Sequence, residues 1–180
     1  MAAEFAYSHE VFKEKFYTTY IQIKRTSGTV DVIPAVFSER LINTKDNYTG
    51  RCIAIKGEFR SCNKDGKVLL YIFVQEYDLI EDREHYNDVF LEGYICKKPT
   101  YRKTPLGREV TDALLAVNRT CGKADYIPCI CWGKNALYVA NTNVGSNVRF
   151  AGRIQSREYE KNGEIKTAYE MSVALVEIVS

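Results

Sequence analysis

The sequence of 180 residues predicts an all-β protein with short helices, built as two tandem five-stranded barrels. Three observations lead to this prediction. The chain repeats itself at a constant offset, its segments alternate between apolar and polar residues, and polar glycine-containing turns separate these segments. Hydrophobic residues make up 46% of the chain, which is enough for real cores and excludes a disordered tail protein.

The repeat is clearest in two segments that lie 94 positions apart. Residues 25–37 read RTSGTVDVIPAVF and residues 119–131 read RTCGKADYIPCIC, with six identities in register. Chance would give about one such identity. The match continues downstream, where residues 50–61 (GRCIAIKGEFRS) align with residues 145–156 (GSNVRFAGRIQS). The chain is therefore an internal duplication of one module.

Each copy carries the same order of elements. In the first copy we expect strands at residues 16–25 and 31–37, a short helix at 39–46, and strands at 51–61 and 67–77. In the second copy we expect strands at residues 109–119 and 125–132, a helix at 134–141, and strands at 147–159 and 166–179. A first strand is clear at residues 88–97, whereas only the shorter segment 4–12 can take that place in the first copy.

This element order and the stretch between the copies predict the fold and the domains. One helix between the third and fourth strands, followed by a long hairpin, is the order of an OB barrel. Residues 81–87 (EDREHYN) are charged and lack an apolar face, as expected of a domain boundary. We therefore expect one OB-fold domain at residues 1–85 and a second at residues 86–180.

The balance of charge limits the class of function. The formal net charge is only +2, from 25 Lys+Arg and 23 Asp+Glu. A nucleic-acid site here must therefore combine locally clustered charge with stacking. An enzyme would need clustered carboxylates, an activated nucleophile or a phosphate loop, and the sequence shows none of these. We expect a binding protein without cofactors rather than an enzyme.

Cysteine spacing and the lack of long apolar runs indicate the compartment. The six cysteines form no CxxC pair and the two histidines lie far from them, so no metal site is expected. No segment has the pattern of a signal peptide or a membrane span. The expected location is the cytoplasm, with reduced thiols and no membrane partner.

Alternation along two strands of the second copy places aromatic and basic side chains on outward faces. In residues 125–132, Tyr126 and Trp132 point away from the core-like side, about 20 Å apart. In residues 147–159 the outward set is Arg149, Arg153, Arg157 and Tyr159. Aromatic rings stack on bases of any identity, and guanidiniums suit phosphates. The alternatives are a solvated face for the arginines and a core position for the tryptophan.

Residues 88–180 closely resemble the bacterial single-stranded DNA-binding protein family. The resemblance rests on DVFLEGYICKKPTYRKTPLGREVTDALLAVNRT, DYIPCICWGK and GSNVRFAGRIQSREY, and the first copy matches more weakly through RTSGTVDVIPAVF. It implies OB barrels that bind single strands without sequence preference, by stacking and charge. The family usually assembles with four barrels, so two barrels in one chain imply a homodimer. Its acidic C-terminal tail, which docks partners, has no counterpart in VEIVS, so we expect no tail-mediated docking.

The resemblance also assigns roles to individual positions. It places base-stacking aromatics at Tyr126, Trp132 and Tyr159, whereas an aromatic expected in the first long loop falls at Cys121. The expected DNA-binding residues, with the basic positions carried over by the resemblance named first, are Arg102, Lys134, Arg157, Arg108, Arg119, Arg149, Arg153, Tyr126, Trp132 and Tyr159.

The two copies differ at these positions. Where the second copy has Tyr126 and Trp132, the first has Val32 and Ser38, and the outward arginines become alanine, glutamate and cysteine. Two basic residues that could still contact phosphates remain on this strand, Lys56 and Arg60. We therefore expect the second copy to hold most of the DNA.

The last strand of the first copy changes in the opposite sense. Leu69, Tyr71 and Phe73 make it apolar on both faces, which predicts an assembly interface. The alternative is that Leu69 and Phe73 are covered within the same chain.

The function predicted from all of these features is binding and protection of single-stranded DNA, without sequence preference, in replication, recombination or repair. The alternative is an OB-fold scaffold or interaction protein of the primosome type that binds DNA weakly.

Overall fold

The computed structural model describes residues 2–64, 66–81 and 85–179. The chain divides into two compact units, Met1–Tyr86 (unit 1) and Asn87–Ser180 (unit 2). Each unit contains one β-sheet, and one α-helix is found in the described part of the chain. The prediction of an all-β protein is confirmed.

Unit 1 is a five-stranded sheet. Its strands are β1 (Ala6–Val11), β2 (Glu14–Lys24), β3 (Val30–Ser38), β4 (Ile53–Lys64) and β5 (Lys67–Leu79). They lie in the order β1-β2-β3-β5-β4, with β3 and β5 parallel and the other pairs antiparallel. Phe37, Ala35, Val74 and Tyr48 belong to its buried core.

Unit 2 is a closed barrel. Its elements are β6 (Val89–Ile95), β7 (Thr100–Lys103), β8 (Glu109–Asn118), β9 (Ala124–Trp132), α1 (Lys134–Ala140), β10 (Asn147–Lys161) and β11 (Glu164–Val179). The strand order is β6-β10-β11-β9-β8-β7, and a further pairing of β6 with β8 closes the ring. The helix predicted at residues 134–141 is confirmed.

A glycine at the same place in each unit allows the last two strands to bend together. A Cβ atom on Gly152 of β10 would lie 2.1 Å from the carbonyl oxygen of Ser172, and one on Gly57 of β4 would lie 2.2 Å from that of Phe73. Each glycine borders an irregularity in the strand register. The backbones approach too closely for any side chain, so both copies need glycine here.

The helix predicted at residues 39–46 is wrong. This segment forms turns in the structure. The side-chain oxygen of Asn43 accepts a hydrogen bond from the backbone N–H of Lys45 at 3.2 Å, and that of Asn47 accepts one from Thr49 at 2.9 Å. Such local bonds offer the backbone an alternative to the helical ladder, and the stretch is rich in residues that form them.

The segment at residues 4–12 is not the first barrel strand of unit 1, contrary to prediction. Its β1 forms a tight hairpin with β2, in register from Ala6 opposite Thr18 to Val11 opposite Glu14. This is the place that β7 occupies beside β8 in unit 2. Because a two-residue turn joins Val11 to β2, the segment pairs with β2 and does not pair with β4.

The turn between β1 and β2 is conformationally strained, and we expect its relief to stabilise the protein. Phe12 and Lys13 have φ angles of 49° and 66°, and the Phe12 side chain is fully exposed. Two-residue hairpin turns of this kind favour Asn-Gly, because a bulky residue with positive φ is disfavoured. The double substitution Phe12→Asn with Lys13→Gly should raise the free energy of unfolding by about 1 kcal/mol, measured by urea denaturation.

Phe12→Ala is the control for this turn, since it removes the exposed ring but keeps a Cβ atom at positive φ. It should give much less stabilisation than the double substitution. Equal stabilities of the Asn-Gly variant and the unsubstituted protein would contradict the assignment of strain.

Candidate nucleic-acid interface

The outward side of β9 carries the two aromatic residues singled out in the sequence. Ile127, Cys129 and Cys131 face the core and are at most 2% exposed, whereas Tyr126 is 49% and Trp132 is 37% exposed. Strand geometry therefore puts both rings on one surface, about 20 Å apart. We call the outward side of β9, from Tyr126 to Trp132, the stacking face.

Arg102 lies beside the tryptophan end of the stacking face. It is paired across β7 and β8 with Val110, which in turn is paired with Trp132 on β9. Its guanidinium donates to both carboxylate oxygens of Asp112, at 2.7 and 3.3 Å. The hydrogen bond to Asp112 raises the pKa of Arg102 above its usual value. The cation is thus held in place at the edge of the aromatic surface while remaining half exposed.

The three outward arginines of β10 have different surroundings. Arg149 is bound on both sides, with Glu92 at 2.9 Å and Glu177 at 3.5 Å. Its hydrogen bond to Glu92 lowers the pKa of that carboxyl group. Arg157 lies 3.7 Å from Glu170, with its guanidinium carbon 5.8 Å from the ring centre of Tyr159. These contacts leave Arg149 least available to a ligand.

Arg153 is exposed, and it has no ion pair or hydrogen-bond partner within residues 2–64, 66–81 and 85–179. It is paired with Ser172 of β11, which is paired with Ile130 on the outward side of β9, between the two exposed rings; Ser172 and Ile130 are themselves buried. Two strand spacings, about 10 Å, therefore separate the backbone of this arginine from the stacking face. Among the three outward arginines of β10, Arg153 is therefore the one whose guanidinium has no partner in these ranges.

Comparison with known proteins identifies the family of the chain. Residues 86–179 match the model of the family described as "Single-strand binding protein family". This is more than half of the sequence. The chain belongs to this family.

Relatives in the single-strand binding protein family are similar over part of their length. Single-stranded DNA-binding protein 2 of Listeria monocytogenes is 43% identical over 83 residues, covering 42% of this chain and 52% of the relative. Single-stranded DNA-binding protein A of Bacillus subtilis is 42% identical over 81 residues, covering 41% and 47%. The chain spans about half the length of these curated relatives.

A solved structure of the family covers both units. The wild-type single-stranded DNA binding protein from Thermus aquaticus matches with a TM-score of 0.72 over 99% of this chain and 88% of that chain, at 20% identity. At this identity the likeness concerns the fold, and the predicted OB-type architecture is confirmed.

Arg119 of this family member lies in a structural ion pair. It makes two hydrogen bonds to the carboxylate of Asp125, whose side chain is only 3% exposed. Unit 1 repeats the arrangement with Arg25 and Asp31, at 2.7 and 2.6 Å. The sequence held the signal, because an arginine followed six positions later by aspartate occurs in both copies. We therefore leave Arg119 out of the proposed contact surface.

The remaining expected DNA-binding residues lie at the ends of elements. Arg108 is exposed in the hairpin loop before β8, and Lys134 is exposed at the first position of α1. Tyr159 is 37% exposed near the tip of the β10–β11 hairpin, where Asn162 and Gly163 form the turn. The structure thus brings Arg102 to the stacking face, while the other basic residues lie around it.

Unit 1 has a different surface at the corresponding positions. Ser38 is buried, with only 9% of its surface exposed. Lys56 and Arg60, the two basic residues that remain on β4, both form ion pairs. Lys56 lies 3.2 Å from Glu76, and Arg60 lies 2.8 Å from Glu58. Each of these two cations therefore has a carboxylate partner within unit 1.

The apolar strand β5 of unit 1 is partly covered within its own unit. The guanidinium carbon of Arg60 lies 3.8 Å from the ring centre of Phe73, above the ring. The ring centres of Phe73 and Phe16 are 6.0 Å apart. Tyr71 is half-buried, while Leu69 stays 44% exposed. The alternative that these side chains are covered within the same chain therefore agrees with the structure for Phe73 better than for Leu69.

The thiols of β9 are poor nucleophiles. Burial raises the pKa of Cys131 to about 12 and that of Cys129 well above its usual value, so both are protonated at neutral pH. Across the described ranges, no three His, Cys, Asp or Glu side chains come together as a possible metal site. None of the helices described in the structure could cross a membrane.

Proposed function

We propose that the protein binds single-stranded DNA without sequence preference and protects it in replication, recombination or repair. The stacking face of unit 2 carries this proposal. Two exposed aromatic rings, Tyr126 and Trp132, lie on one β-strand. Arg102 is held at one end of this surface, and Arg153 lies beside its centre. This arrangement suits single-stranded DNA, whose bases stack on the rings and whose phosphates need counter-charges. The names of the relatives support the same ligand.

The distribution of charge favours unit 2 as the main DNA-binding unit. Residues 87–180 hold 13 of the 25 Lys+Arg and 10 of the 23 Asp+Glu, so their formal charge is +3. The remainder of the chain holds 12 basic and 13 acidic residues, a formal charge of −1. A polyanion is therefore attracted to unit 2 first.

The proposed assembly is a homodimer that contains four barrels. Leu69 of unit 1 is the exposed member of the interface expected from the sequence, and Tyr71 and Phe73 lie on the same face of β5. A solution mass measurement tests the assembly, and Leu69→Lys should shift it toward the monomer. A cytoplasmic location is part of the same proposal.

Titration with polydeoxythymidine tests the proposed function. Trp132 is the only tryptophan in the sequence, so its fluorescence reports directly on the stacking face. We expect strong quenching that weakens as salt is raised. An unchanged signal together with no retention of the oligonucleotide would instead support an OB-fold scaffold of the primosome type.

Arg153→Ala should reduce the salt dependence of DNA binding. Removing one phosphate contact lowers the slope of log K against log salt by about 0.7 for a single strand. Because Arg153 lies on the surface, the free energy of unfolding should hardly change. Fluorescence anisotropy of a labelled oligothymidine over a range of salt concentrations measures the slope.

Arg149→Ala is the matched control, because its guanidinium is already bound by Glu92 and Glu177. The salt slope should change less in this variant than in Arg153→Ala. The opposite ranking would contradict the assignment of Arg153 as the free phosphate contact.

A further inference from the structure

One hairpin of unit 2 ends in an exposed apolar side chain. It consists of β7, β8 and the loop at residues 104–108 between them, and we call it the β7–β8 hairpin. Leu106 lies at its tip and is 85% exposed. Single exposed leucines are common on protein surfaces, so the construction of this tip and the charges around it decide what it can bind.

Local hydrogen bonds fix the tip. The N–H of Thr104 donates to the carbonyl of Arg108 at 2.8 Å, and the N–H of Gly107 donates to the carbonyl of Thr104 at 2.8 Å. The hydroxyl of Thr104 accepts a further bond from the N–H of Arg108 at 3.1 Å. Gly107 has a φ of 75°, as a three-residue hairpin loop requires at its last position, and Pro105 restricts the backbone before the leucine. A well-bonded turn therefore presents Leu106 to the solvent.

Cations lie on both faces of the β7–β8 hairpin. Arg102 shares a face with Trp132, because both are paired with Val110. Lys103 is the next residue of β7, and successive side chains of a strand point to opposite faces. Its exposed side chain therefore lies on the reverse face of the hairpin, away from the stacking face.

The cations on and beside the reverse face have no carboxylate partner. Lys103 is paired across the strands with Glu109, whose carboxylate instead accepts a hydrogen bond from the hydroxyl of Tyr101 at 3.0 Å. Lys134 is exposed beside the hairpin, because the N–H of Gly133 donates to the carbonyl of Glu109 at 2.9 Å. Within the described ranges, neither lysine has an ion pair or a side-chain hydrogen bond. Both are available to phosphates.

This arrangement matches the point at which a DNA duplex divides into single strands. One single strand needs cations on one face of a hairpin only. At a junction two strands separate, and each carries its phosphates past one face of a hairpin inserted between them. The last base pair of the duplex then offers a stacking surface to an apolar tip, and leucine is among the side chains that act as wedges between bases.

We infer that the β7–β8 hairpin is a wedge that binds the junction between double-stranded and single-stranded DNA. Leu106 packs against the terminal base pair. Lys103 and Lys134 contact phosphates of one strand, while Arg102 directs the other strand onto the stacking face. The inference rests on the proposed function, since the second strand must bind that face. Anionic membranes also attract an apolar residue among cations, but the continuity of the hairpin with the stacking face favours DNA.

The preference of the full chain for a forked DNA tests the wedge. Fluorescence anisotropy compares a labelled oligothymidine, the same oligothymidine joined to a GC-rich duplex with a short unpaired second strand, and the blunt duplex alone. We expect the fork to bind about tenfold or more tighter than the oligothymidine, because burial of a leucine corresponds to at least this factor. The blunt duplex should bind most weakly. Leu106→Ala should lose most of the preference for the fork and keep its affinity for the oligothymidine.

Phe12→Ala is the matched control. Phe12 lies 94 positions before Leu106, at the tip of the corresponding hairpin of unit 1, and is fully exposed between Glu10 and Glu14. This variant should keep the preference for the fork.

The outcomes separate the wedge from the proposed function. Equal affinities of the unsubstituted protein for fork and oligothymidine, a blunt duplex bound as tightly as the fork, or equal losses in Leu106→Ala and Phe12→Ala would overturn the wedge and leave single-strand binding intact. If none of the DNA probes bound, both would fail. Retention of the unsubstituted protein but not of Leu106→Ala on vesicles of phosphatidylcholine and phosphatidylglycerol, without a preference for the fork, would assign the tip to a membrane instead.

Discussion

Trp132→Ala is expected to weaken binding of single-stranded DNA by about 1–3 kcal/mol, which is the loss found when an aromatic residue that stacks on a base is removed. The ring is 37% exposed on a strand whose other side is buried, so its loss should leave the barrel folded. The variant lacks the only tryptophan, and the affinity is therefore measured by anisotropy of a fluorescein-labelled oligothymidine.

Two further variants sharpen this test. Trp132→Phe keeps a ring that can stack and should recover most of the affinity. Phe90→Ala removes another exposed aromatic residue, 66% exposed on β6 and outside the stacking face, and should have little effect. If Phe90→Ala and Trp132→Ala weakened binding equally, general exposure of aromatic surface rather than the stacking face would explain the affinity.

Arg119→Ala should destabilise unit 2 by about 3–5 kcal/mol, because it leaves the buried carboxylate of Asp125 without its cation. Urea denaturation followed by circular dichroism measures the change. Arg25→Ala should have an effect of the same size on unit 1, since Asp31 is fully buried in the equivalent pair. The two results together would show that the duplicated motif is structural.

The double substitution Arg119→Met with Asp125→Leu provides the control for this pair. Replacing both partners by apolar residues of similar size leaves no buried charge and should recover most of the stability. If Arg119→Ala left the stability unchanged and lowered the slope of log K for DNA against log salt by about 0.7, Arg119 would instead be a DNA contact.

Local patterns were sufficient for most of the fold. The period of two along β9 correctly placed Ile127 and Cys129 in the core and Trp132 outside, because successive side chains of a strand point to opposite faces. The helix expected at residues 39–46 does not form, because the side chains of Asn43 and Asn47 accept hydrogen bonds from the backbone N–H groups of Lys45 and Thr49. Propensity alone does not decide between these two local solutions.

The charge pairing of the β10 arginines could not be predicted from the sequence. Arg149 and Arg153 look equivalent in the sequence, since both lie on the same face of one strand. Glu92, which binds Arg149, lies 57 residues earlier, and only the pairing of β6 with β10 brings the two together. The availability of a cation depends on such neighbours, which alternation along one strand does not reveal.

The sequence by itself determined the duplication, the elements of unit 2 apart from β7, and the face on which Tyr126 and Trp132 lie, because these depend on offsets and on the geometry of single strands. The tertiary structure decided which cations are free and which strand edges are paired. It closed the sheet of unit 2 into a barrel through the pairing of β6 with β8. The physical reason is that hydrogen-bonded edges and ion pairs join residues distant in sequence, and only the folded chain brings them within bonding distance.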